Sequence, residues 1–88
     1  MSKVIIEGNN VILYIKVKNW VKHRQHIDFS PLLKLDVMKL ERVEVRLMQI
    51  PKKMSNRDLS LIKTCAQNKF LNEVDRLRAA IQIMKDHE

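Results

Sequence analysis

The first eighteen residues alternate. Val4 and Ile6 sit between Lys3 and Glu7, Gly8-Asn9-Asn10 interrupts, and then Val11, Leu13, Ile15 and Val17 alternate with Ile12, Tyr14, Lys16 and Lys18. A period of two around a Gly/Asn turn predicts a β-hairpin over residues 3–18. A turn centred on Gly8-Asn9 pairs Ile6 with Val11, and one centred on Asn9-Asn10 pairs Ile6 with Leu13. Both keep Val4 and Ile6 on the face of Val11, Leu13 and Ile15, so the core face does not depend on the turn type. The opposite face carries Ile5, Ile12 and Tyr14, which calls for a further element on both sides of the ribbon or along an edge, since a lone hairpin is marginal in water.

At the other end of the chain the period changes. Leu59, Ile62, Ala66, Phe70, Val74, Leu77, Ile81 and Met84 recur at spacings of three and four, after Ser55-Asn56-Arg57-Asp58, which resembles a helix-capping box. One amphipathic helix over 55–86 follows. From Phe70 onward the stripe (Phe70, Val74, Leu77, Ile81, Met84) is spaced as in a heptad repeat and outruns the core of so short a chain, so it is expected to form a dimer interface.

The middle carries both periods. Ser30-Pro31 suits a helix start, Leu40, Val43, Leu47 and Ile50 share a helical face, and Pro51 forces a stop. Yet Val43-Glu44-Val45-Arg46-Leu47 alternates as a strand does. The helical reading, over 31–50, leads, with a short helical turn expected near Asn19. The fold class expected is α+β in one small domain, 1–88: hairpin, middle segment and long C-terminal amphipathic helix.

Charge sharpens this picture. The 88 residues hold 17 Lys and Arg against 10 Asp and Glu, a net charge of +7. Residues 1–26 carry five basic groups and one acidic, 27–57 seven and four, and 58–88 five and five. The positive field therefore belongs to the first two-thirds, and it favours a polyanion or an acidic protein as partner. The near-neutral last third permits two copies to approach.

The densest candidate for chemistry is Lys16, Lys18, Trp20, Lys22, His23, Arg24 and His26, cations with one large aromatic and no acid. Lys and Arg neutralise phosphates and an aromatic ring stacks on an unpaired base, so Lys16, Lys18, Trp20, Lys22 and Arg24 are the expected nucleic-acid contacts, extended by Lys52, Lys53 and Arg57. The competing reading makes Trp20 a plug at the end of the core and the cations a solvated surface. His23 and His26 with Asp28 invite a metal, but Cys65 and His87 are too remote to complete a ligand set, and no metal or cofactor is expected. Cys65 borders the helical stripe and reads as a packed thiol. The only glycine is Gly8, so no phosphate-cradling loop can be assembled, and no catalytic constellation is present.

The expected function is a small, non-enzymatic nucleic-acid-binding accessory or regulatory factor, dimeric through its long helix. The alternative is a protein–protein adaptor, inhibitor or chaperone that docks an acidic partner. The longest apolar run, Val11 to Ile15, is too short to span a membrane and no secretion signal is evident, which points to the cytoplasm.

Overall fold

The structure, a computed structural model, describes residues 3–22 and 27–87, and for Asn19, Val21 and Lys22 the backbone alone. Its elements are β1 (Lys3–Glu7), β2 (Asn10–Lys16), α1 (Val17–Lys22), two 3₁₀ turns at Ser30–Lys34 and Val37–Lys39, β3 (Arg42–Met48) and α2 (Asn56–Asp86). This is an α+β fold.

β1 and β2 form the expected hairpin, with Ile6 opposite Val11 and Lys3 opposite Tyr14. The turn is therefore the one on Gly8-Asn9. Gly8 stands at φ 60° in the first central position, where a type II′ turn calls for positive φ and where a side chain would be strained. The hairpin ends sooner than expected: Val17 and Lys18 belong to α1, so the helical turn starts two residues before Asn19.

The middle segment departs from the helical expectation. Residues 42–48 are a strand, paired in parallel with β2 so that Val11, Leu13 and Ile15 stand beside Val43, Val45 and Leu47. The helix over 31–50 is thus corrected to two 3₁₀ turns and a strand. Side-chain hydrogen bonds support both 3₁₀ turns, though only the second has a side-chain N-cap. Asp28 accepts from the backbone N–H and the hydroxyl of Ser30, and Asp36 accepts from the N–H of Met38. The valines that fit poorly in a helix fit the pleated surface, and a parallel partner supplies a ladder that no local turn signal announces. The sheet order is β1-β2-β3.

One face of the sheet is covered. Val4, Val11, Leu13, Ile15 and Val45 pack with Trp20, Ile27, Leu32, Leu35 and Val37 of the connection and with Ala66, Phe70 and Val74 of α2. The α2 trio recurs every four residues, one stripe laid across the strands. Phe29 closes against Phe70 with ring centroids 6.4 Å apart, and the Arg78 Nε donates to the Val37 carbonyl at 2.8 Å, tying the second 3₁₀ turn to α2. Ser55 caps α2 by accepting from the Asp58 N–H at 3.2 Å. At 31 residues α2 runs about 46 Å. A seven-residue strand covers about 23 Å, so the helix overhangs the sheet, and Ile83 and Met84 lie exposed past it. No helix among the described residues is long and apolar enough to cross a membrane.

Candidate nucleic-acid interface

Because successive side chains of a strand point to opposite faces, burying Val4, Leu13 and Val45 turns Lys3, Tyr14 and Arg46 outward. The register sets these three in one row across the sheet, with Lys16 beside Met48 in the row nearer the α1 end, and Ile5, Ile12 and Glu44 in the row on the other side. Among the described residues no element packs against this second face. Ile12 is nonetheless buried, since it sits in the central strand between two neighbours.

The parallel pairing has an electrostatic consequence. The C-terminal ends of β2 and β3 and the start of β1 fall at one end of the sheet, and from there the chain enters both α1 and the turn before α2. Lys3, Lys16 and Lys18 therefore share an end with the segment carrying Lys52, Lys53 and Arg57. At that end the open face holds a depression of about 370 Å³ lined by Lys3, Ile5, Tyr14, Lys16 and Met48, with no acidic residue among the described residues that line it. The opposite end holds a smaller one, about 160 Å³, in which Glu7 and Glu44 accompany Arg42 and Arg46. Only the first favours an anion.

Arg46 reaches over the central aromatic. Its guanidinium lies 5.7 Å from the Tyr14 ring centroid, Nη1 donates to the Tyr14 hydroxyl at 3.0 Å, and Nη2 pairs with Glu44 at 3.2 Å. The hydrogen bond and charge of Glu44, with the Tyr14 contact added, push Arg46 above the ordinary guanidinium range, so it stays a cation at any working pH. The result is a guanidinium held at the hydroxyl end of a half-buried ring, within cation–π reach, in the middle of an open sheet.

The sequence-expected contacts divide. Lys16 lies on this face, and Lys18, Lys52, Lys53 and Arg57 are exposed near its basic end. Trp20 does not belong with them. Its side chain is 2 % exposed, inside the core with the Lys69 ammonium 5.7 Å from its ring, so it has no face to offer a base. The Lys22 side chain and all of His23, Arg24 and His26 lie outside the described residues. Among the described residues no group of three His, Cys, Asp or Glu is placed to hold a metal.

The expected helical dimer stripe also divides. Phe70 and Val74 are fully buried in the chain's own core, Leu77 and Ile81 are half-buried against it, and Met84 is exposed past the sheet. Four of the five are thus engaged in cis, and Phe70 and Val74 are not available to a second copy without opening the core. The residues that sequence reasoning missed are Lys3, Ile5, Tyr14, Arg46 and Met48. The outward parity of Tyr14 was a visible signal, whereas Arg46 and Met48 join the site only once β3 pairs with β2. Comparison of the chain with protein-family models, with curated proteins and with solved structures gives no match.

Proposed function

We propose that this chain is a non-enzymatic nucleic-acid-binding protein, and that the basic end of its open sheet face takes an unpaired base together with the phosphates on either side. The observation that carries this reading is the depression whose described lining, Lys3, Ile5, Tyr14, Lys16 and Met48, holds no acidic residue. Its volume lies in the range of small-ligand sites, its floor is aromatic and apolar, and its rim is cationic. A base entering there lies against the Tyr14 ring beside the Arg46 guanidinium, because aromatic rings and guanidinium planes both accept bases face to face. Lys3 and Lys16 flank it at the spacing of adjoining rows, and Lys52, Lys53 and Arg57 continue the positive track.

Binding of labelled single-stranded DNA and RNA, followed by fluorescence anisotropy, tests the reading. Loss of a stacking platform costs about 1–3 kcal/mol per base, so Tyr14→Ala is expected to weaken binding by roughly 5- to 150-fold. Lys3→Ala with Lys16→Ala should weaken it without moving the thermal midpoint appreciably, since exposed charges contribute little to folding. A wild-type chain that binds neither single- nor double-stranded DNA or RNA near physiological salt overturns the proposal. The same cations would then be assigned to an acidic protein partner.

A further inference from the structure

We infer that the free edge of β3 is the surface through which two copies of this chain pair, extending the sheet from three strands to six. The edge is real: β3 is bonded to β2 on one side, and among the described residues no strand lies on the other. Val43 and Leu47 point to the core face yet are only half-buried, unlike Val11, Leu13 and Ile15 of the central strand. A seven-residue edge with no strand paired to it is a template for another strand.

The occupant follows from charge. β3 reads Arg42-Val43-Glu44-Val45-Arg46-Leu47-Met48. Antiparallel pairing about a two-fold axis at Val45 sets Val45 opposite its own copy, Val43 opposite Leu47, and Glu44 opposite Arg46, each twice. Opposite charges thus meet on the open face and apolar residues meet on the core face. A two-fold axis at Glu44 would set Glu44 against Glu44 and Arg42 against Arg46, and like charges directly opposite are destabilising. The strand therefore specifies both its partner and its register, as an isologous interface must. β1 offers a comparable match, Lys3 against Glu7, but over only five residues.

The pairing also bears on the open face. With strands about 4.8 Å apart and a rise of about 3.3 Å per residue, the two Tyr14 rings would stand on one continuous surface roughly 16 Å apart. Self-association does not depend on any ligand, so it is tested without one.

Sedimentation equilibrium of the full chain at high micromolar concentration should give twice the 10.5 kDa protomer mass. Glu44→Arg sets cation against cation across the axis and should weaken the dimer at least tenfold. Glu44→Arg combined with Arg46→Glu exchanges the charges and should restore it. Should Glu44→Arg fail to fold, amide hydrogen exchange of the wild type decides instead: alternate amides of residues 42–48 should gain protection as concentration rises. A protomer that stays monomeric, a dimer indifferent to Glu44→Arg, or one broken by Ile5→Lys at β1 overturns the inference.

Discussion

Trp20 and Tyr14 are the two residues whose surroundings decide what this surface does. Both lie in cation-rich sequence, yet one is sealed in the core and the other stands half-open on the sheet. Truncating a buried aromatic costs about 3–5 kcal/mol, so Trp20→Ala is expected to lower the urea midpoint sharply by circular dichroism, while Trp20→Phe should retain much of the stability. Trp20 is also the chain's only tryptophan. Its emission should change little when an oligonucleotide binds, and a large quench would mean that the ring reaches the ligand. The core assignment was legible: Val17 and Trp20 are three residues apart, one face of a helical turn, and both are buried. Alternation of Lys16 and Lys18 with Trp20 pointed elsewhere, because reading the strand as running to Lys18 puts Trp20 on the face of the lysines.

For the elements, legibility depended on whether the stabilising partner was close in sequence. The β1–β2 hairpin and α2 carry their own signals, a Gly-Asn turn and a capped three-and-four stripe, and both appear, the hairpin two residues shorter than the pattern sets it. The Ser55 cap is worth about 1 kcal/mol on general grounds, so Ser55→Ala should lower the denaturation midpoint modestly and leave helix content nearly intact, because packing of Ala66, Phe70 and Val74 supplies most of what holds α2. A collapse of helix content would mean that the cap nucleates the element. β3 was not legible in the same way. Leu40, Val43, Leu47 and Ile50 satisfy the helical period and Val43, Val45 and Leu47 the strand period, and the choice rests on a β2 ladder some thirty residues away in sequence. A parallel neighbour leaves no turn to read. The candidate site inherits this: Lys16 could be named for it from the sequence, whereas Arg46 and Met48 join it only once β3 is in place.

Over the whole molecule, charge is distributed along one axis. Lys3, Lys16, Lys18, Lys52, Lys53 and Arg57 gather at the end where β2 and β3 finish and α2 starts, while residues 58–88 are neutral on balance. If binding is local to that end, its salt dependence must be too. Six phosphates neutralised on a single strand give a slope of log K against log salt near −4, at about 0.7 per contact. Replacing Lys3 and Lys16 together by Ala should make the slope shallower by about 1.4. Lys85 provides the control. It lies 28 residues beyond Arg57 on α2, roughly 42 Å away, about five Debye lengths at physiological ionic strength. Lys85→Glu changes the net charge by as much as the double alanine variant does, yet should leave the slope within error of wild type. Titrations of the three proteins across a range of salt therefore separate a site from a diffuse field. A slope that shifts equally in both variants would show that the nucleic acid responds to the +7 of the whole chain, and the sheet face would lose its claim to be the interface.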